Sequence, residues 1–338
     1  MPIFLFIIAT LFTLTVCVKA MDVGTALKVL DKPDAKRKRH KQVTPLVGGL
    51  AVITPLILIS IYNYLVTDLP IFESYALVLT GGLMLGFKDD RHHLSAMLRL
   101  VISTGIGLAG ILLYSPFEIQ FLRFSFMDTP VFTGVWGVPF TILCLVGLQN
   151  AVNMADGKNG LVIGLSFIWT SILLIYAPPH LYPLLATLLA GLAIAMAFNL
   201  KGKLFLGDAG AYGLSFAVAM LTLYIYNVSF IDVSADMIAL WFLIPVVDCL
   251  RLMIGRSLKG RSPFTPDREH LHHILLRFTN WEKALVTYLA MVFLPSFLAI
   301  WMPELTLLWA TLSLAIYVMV VATARFLQLE HEVPHPSA

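Results

Sequence analysis

The sequence predicts an all-α polytopic membrane protein with about eleven transmembrane helices, and three observations lead to that fold class. Of its 338 residues, 59% are hydrophobic and 13% are charged, where a soluble domain carries about 25% charged residues. The mean hydropathy is +0.85, so the chain lacks the polar surface to cover a water-soluble globule. The apolar residues also fall in long runs, each close to the roughly 20 residues that a helix needs to cross a bilayer. Lysine and arginine, finally, gather in alternate connections between the runs. A net charge of +3 is too small to indicate nucleic acid as a partner. Cys17, Cys144 and Cys249 all sit in apolar runs. They read as buried small hydrophobes, not as a disulfide framework or a zinc site.

In chain order the runs are 1–18, 46–66, 71–87, 97–115, 131–149, 160–177, 181–198, 210–227, 236–254, 284–301 and 304–324. The first has no basic residue ahead of it and no small-residue cleavage site, so it reads as an anchor and not as a secretion signal. Gly134, Gly137 and Pro139 interrupt the fifth. If the runs alternate, Arg123 alone among the 23 lysines and arginines falls on the opposite side from all the others. The bias puts the N-terminus outside and the C-terminus in the cytoplasm. The opposite-side connections are short except for 117–130, where Phe117, Ile119, Phe121 and then Phe124 and Phe126 alternate at period two. That alternation predicts a small β-hairpin at the outer interface. There is no internal repeat or sign of a second domain, so residues 1–338 read as one integral membrane domain. Its loop near 255–283 is long enough to act as a cytoplasmic lid.

In so apolar a chain the polar clusters carry the information. Five fall on the predicted inner side. The first is Asp31-Lys32-Pro33, the basic run Arg37 to Lys41, and Gly48-Gly49. The basic run also suits a lipid anchor, whereas the glycine pair allows a close approach that anchoring does not need. The second is Asp89-Asp90, a pair that repels itself unless a cation or donors hold it and whose oxygens suit magnesium. A solvated helix end with Lys88 and Arg91 as partners is the plainer explanation. The third runs from Asn150 through Asn153, Asp156-Gly157 and Asn159-Gly160, with the two asparagines on one helix face. The fourth is Asn199 with Gly207-Asp208-Ala209-Gly210, where Asp208 also suits an N-cap. The fifth joins Asp248, Arg251, Arg256 and Arg268 to His270, His272 and His273. No cysteine accompanies these histidines, so they suit phosphate better than zinc.

Taken in order, these clusters resemble one family, the polyprenyl-phosphate N-acetylhexosamine-1-phosphate transferases. The resemblance rests on Asp31-Lys32-Pro33 with Arg37-Lys38-Arg39-His40 and Pro45 to Gly49, on Asp89-Asp90, on Asn150-x-x-Asn153-x-x-Asp156-Gly157 and on Gly207-Asp208-Ala209-Gly210. It also rests on the stretch Ser262-Pro263-Phe264 through His270-x-His272-His273, and it covers roughly residues 31 to 273. The histidine spacing is similar to the branch that transfers N-acetylglucosamine 1-phosphate to undecaprenyl phosphate and starts O-antigen or enterobacterial common antigen. The resemblance implies UDP-N-acetylhexosamine and undecaprenyl phosphate as substrates, UMP as product, magnesium (with manganese as an alternative) as cofactor, and a homodimer in the bacterial inner membrane. It implies that Asp208 holds the metal with Asp89 and Asp90, and that Asp89, Asp90, Asp156 and His270 are catalytic. By the same resemblance Asn153, Asn199 and Lys41 bind the nucleotide, and Arg268, His272 and His273 hold the diphosphate or sugar. One departure is Asn159, where the family often has a second acid; an amide keeps an acceptor but loses the charge. It leaves another UDP-N-acetylated sugar open as donor. A transporter of lipid-linked or nucleotide sugar is the rival from a different class. It would place its ionisable groups near mid-span, and here they gather at helix ends.

Overall fold

The computed structural model describes residues 3–33, 42–265 and 267–332. It divides into two compact units: residues 1–123 with 129–234, and residues 124–128 with 235–338.

The first unit holds α1 (Ile3–Val18), α2 (Ala20–Leu27), β1 (Leu30–Asp31), β2 (Thr44–Pro45), α3 (Gly48–Thr67), α4 (Pro70–His92) and α5 (Ala96–Leu113). It continues with β3 (Phe121–Leu122), β4 (Val131–Phe132), α6 (Gly137–Ala155), α7 (Leu161–Tyr176), α8 (Tyr182–Asn199) and α9 (Gly207–Val228). The second holds α10 (Ala235–Leu258), α11 (Leu271–Phe278), α12 (Trp281–Trp301) and α13 (Thr306–Glu332). Helix starts follow local chemistry. Pro70 occupies the first turn of α4, where its missing N–H costs nothing. The Ser95 and Asn280 side chains cap α5 and α12 by accepting from the Leu98 and Lys283 amides.

Every predicted apolar run contains a helix. Among the described residues nine helices are long and apolar enough to cross a membrane, or ten if α1 and α2, bent by 79° at Lys19, count as one span. The run at 160–177 forms the 16-residue α7, shorter than those nine. The fifth run starts late, at Gly137, because residues 131–132 are taken by β4 and Gly134–Trp136 makes a 3₁₀ turn. The expected hairpin is reduced to two residues per strand, with Phe121 opposite Phe132 and Leu122 opposite Val131. Its second strand thus lies just beyond 117–130. A second pairing, β1 with β2, was not foreseen. Cys17 and Cys249 are buried as expected, but Cys144 is exposed on α6. An apolar face turned away from protein keeps its small hydrophobes exposed, and sequence alone does not separate that face from the core.

Helix α9 is the axis of the first unit. Its apolar window is entirely buried, and α3, α4, α6 and α7 pack on it. Side chains pin neighbouring helices through backbone oxygens: Thr13 to Ala51, Ser74 to Gly110 and Tyr75 to Ala217. Hydroxyls and small residues hold helices together where the hydrophobic effect cannot separate helix from lipid.

Candidate functional site

The site in the first unit begins with backbones in contact. A Cβ on Gly86 of α4 would stand 2.3 Å from the Asp208 carbonyl oxygen, and one on Gly49 of α3 would stand 2.2 Å from the Gly210 nitrogen. Only glycine permits either approach. The start of α3 is also latched to the strand-like segment before α9. Phe205 N donates to the Pro45 oxygen, and Gly48 N and Gly49 N donate to the Phe205 and Leu206 oxygens. These contacts fix the N-terminus of α9 against the last turn of α4.

That end of α9 has no side-chain cap of its own. Asp90 supplies one from another helix, accepting from the Asp208 amide at 2.9 Å and the Ala209 amide at 3.0 Å. A carboxylate placed on the free amides of a helix N-terminus satisfies them and meets the positive end of the dipole. The Asp208 side chain, in the first turn, accepts from Asn153 Nδ2 at 2.8 Å. Asp156 ends α6, where loss of surrounding water and then the charges of Asp208 and Asp90 push its carboxyl up to about 8. Asn199 spends both ends of its buried carboxamide on backbone. Its Oδ1 accepts from Gly160 N at 2.6 Å and its Nδ2 donates to the Leu204 oxygen at 2.9 Å. It thus joins the turn that precedes α7 to the segment that leads into α9.

Asp89 also neighbours the Asp208 carboxylate, but its hydrogen-bond donors are a different set. It is 2% exposed and accepts from Leu94 N at 2.7 Å, Arg99 Nη1 at 2.9 Å and Tyr212 OH at 2.9 Å. Arg91, offered by the sequence as a partner for the acids, instead donates to the Leu27 carbonyl and lies over the Phe87 ring. Arg99 and Tyr212 were missed in sequence. The available signal was a lone arginine one turn inside an apolar run, which is costly without a partner. Replacing Arg99 by leucine leaves Asp89 buried without its counter-ion. The expected loss is about 3 kcal/mol of stability, measured as a lower melting temperature of the purified protein at neutral pH. An unchanged melting temperature would show that the pair is dispensable.

Among the described residues no three His, Cys, Asp or Glu side chains form a ready-made metal cage. A hard cation that keeps its waters and shares substrate phosphates needs only one or two protein carboxylates. Asp208, with Asp90 or Asp156 beside it, supplies two oxygen donors of that kind. Burial is the larger cause of the raised Asp156 carboxyl, and the repulsion from Asp208 and Asp90 that adds to it is the kind that a cation relieves.

In the second unit the histidines assemble around a buried acid. His270 Nδ1 lies 3.2 Å from Asp248 Oδ2, and His270 is 8% exposed. His272 is buried and stacks on it at 5.4 Å, with His273 half-buried beside His272 at 4.3 Å. Arg268 is exposed. Arg256 Nε donates to Asp267 at 2.7 Å. Burial tends to raise the Asp267 carboxyl, but the hydrogen bonds from Arg256 and the Glu269 amide prevail and hold it below the usual carboxylate range. The predicted Lys41 lies outside the described residues.

The chain matches the model of glycosyl transferase family 4 over residues 72–226. That stretch contains Asp89, Asp90, Asn153, Asp156, Asn199 and Asp208, and ends before the histidines. The chain is 30% identical over 302 residues to the undecaprenyl-phosphate alpha-N-acetylglucosaminyl 1-phosphate transferase of Escherichia coli (strain K12), covering 85% of this chain and 80% of the relative. The enzyme of the same name from Yersinia pestis is 29% identical over 302 residues, with 85% and 79% coverage. A probable undecaprenyl-phosphate N-acetylglucosaminyl 1-phosphate transferase of Bacillus subtilis (strain 168) is 27% identical over 341 residues, with 97% and 90% coverage.

Proposed function

The chain belongs to glycosyl transferase family 4, and from that premise we propose that it transfers N-acetylglucosamine 1-phosphate from UDP-N-acetylglucosamine to undecaprenyl phosphate, releasing UMP. The observation that carries the reading is the junction of Asp90, Asp156, Asp208 and Asn153 at the N-terminus of α9, in a chain similar to these enzymes over most of its length.

An oxygen of the lipid phosphate attacks the phosphorus that bears the sugar. The new P–O bond forms as the bond from that phosphorus to the bridging oxygen breaks, and the electron pair leaves with UMP. A phosphate monoester, with its second pKa near about 6, is mostly dianionic at neutral pH, so the attacker needs no strong base. The barrier is the approach of two anions, which positioned charge relieves. Magnesium held by Asp208, with Asp90 and Asp156 near it, supplies that neutralisation when bound. Asp90 keeps the amides of Asp208 and Ala209 in line, and Asn153 orients the Asp208 carboxylate. Asp89 acts through Arg99 and Tyr212 to hold the end of α4. In this reading the site faces the cytoplasm at the inner membrane, as the lysine and arginine bias supports.

Purified protein is expected to release UMP only when undecaprenyl phosphate, a divalent cation and UDP-N-acetylglucosamine are all present. No release from folded protein with any UDP-sugar would remove the proposal. Release with only a different UDP-N-acetylated sugar would keep the reaction and move the donor, which Asn159 in place of an acid makes the second reading.

A further inference from the structure

Asp248 is the centre of the polar network in the second unit, and no step of the transfer uses it. It lies in α10 and is 4% exposed. Its Oδ1 accepts from Arg251 Nη2 at 2.9 Å and from Tyr317 OH at 2.8 Å. The Leu271 amide, at the start of α11, lies 3.2 Å from both oxygens. His270 Nδ1 lies 3.2 Å from Oδ2. One carboxylate therefore ties α10, α11 and α13 together. On the far side of the imidazole, Nε2 is 3.5 Å from Arg256 Nη2. Arg256 in turn holds the Pro263 carbonyl at 2.7 Å and Asp267 at 2.7 Å.

The donors and acceptors in this series have one consistent arrangement. A carboxylate only accepts, so the proton of a neutral imidazole belongs on Nδ1. Arginine only donates, so Nε2 must be bare to receive it. The bond on one ring nitrogen sets the state of the other. We propose that Asp248 is a positioning residue that fixes the Nδ1–H tautomer of His270 and, through Arg256, latches Pro263 and residues 267–271 in place. Without Asp248 the ring is free to carry its proton on Nε2, where it would oppose an arginine N–H, and the latch opens. The stretch it holds includes Arg268, and His273 follows it. The consequence for turnover rests on the transferase reading and on the substrate-binding role that the family resemblance implies for these groups; the tautomer does not.

The test combines the imidazole ¹⁵N spectrum of the full-length protein, with His270 assigned by its loss in His270→Gln, and UMP-release kinetics. The wild type should show Nδ1 protonated and Nε2 bare; the reverse assignment in the wild type overturns the proposal without any variant. Asp248→Ala should lose that signature and at least about thirtyfold in kcat/KM. Asp248→Asn keeps an acceptor for Nδ1–H, and should keep the signature and stay within about tenfold of wild type. The double variant Asp248→Ala/His270→Ala should be no slower than either single one, because both act through one latch. Asparagine as damaging as alanine, or losses that multiply in the double variant, would leave Asp248 as the counter-ion of Arg251 only and defeat the proposal. A wild type that releases no UMP would sink the transferase reading, and the tautomer would still decide the role of Asp248.

Discussion

Asp208→Asn is expected to lower turnover at least about a thousandfold, since in the proposed reaction a carboxylate that holds the metal at the phosphoryl centre supports several kcal/mol of transition-state charge. The substitution is nearly isosteric. The carboxamide it introduces retains an oxygen to accept from Asn153, and the Asp208 amide that Asp90 caps is main chain. The fold should therefore survive, with a melting temperature in the absence of metal close to that of the parent. Magnesium should raise the melting temperature of the wild type and not of the variant, because a ligand stabilises only a protein that binds it. Near-normal turnover across magnesium concentrations in Asp208→Asn would take Asp208 out of the site.

Gly86→Val should damage both fold and activity, through geometry alone. The first side-chain carbon would stand 2.3 Å from the Asp208 carbonyl oxygen and 2.4 Å from the Ala209 nitrogen, both main-chain atoms that cannot swing aside. The last turn of α4 must then move off α9, which stretches the two hydrogen bonds to Asp90. Overpacking of this kind costs about 3 kcal/mol. A displacement near about 1 Å at the reacting groups costs roughly a hundredfold in rate. Gly147→Val is the control, since a Cβ there meets nothing within 4 Å. If Gly86→Val melts and turns over like Gly147→Val, the close crossing of α4 and α9 is not what builds the site.

Much of the candidate site is legible in the sequence, because few explanations fit polar residues at the ends of apolar runs. Asp89-Asp90, Asn153, Asp156 and Asp208 stood out for that reason, and the structure brings Asp90, Asn153, Asp156 and Asp208 to one helix end. Their division of labour could not be read. Adjacent residues Asp89 and Asp90 face different partners, one Arg99 and Tyr212, the other the amides at the start of α9. The family resemblance implies that Asn199 binds the nucleotide, yet both ends of its carboxamide are used by backbone. In sequence Asp248 is one charge among several, and its place is set by contacts such as that with Tyr317, 69 residues away.

The sequence by itself determined the helical membrane architecture, its apolar runs and the polar clusters at their ends. Hydropathy and charge act between each segment and its solvent, and are therefore local in the chain. Tertiary structure alone decided which carboxylate caps α9, which is neutralised by arginine, and which holds the histidine. Those choices depend on how closely two backbones pass and on which atoms that crossing leaves facing each other. The residues concerned, such as Asp90 and Asp208, are 118 positions apart. No local pattern carries information about a distance set by glycines on separate helices.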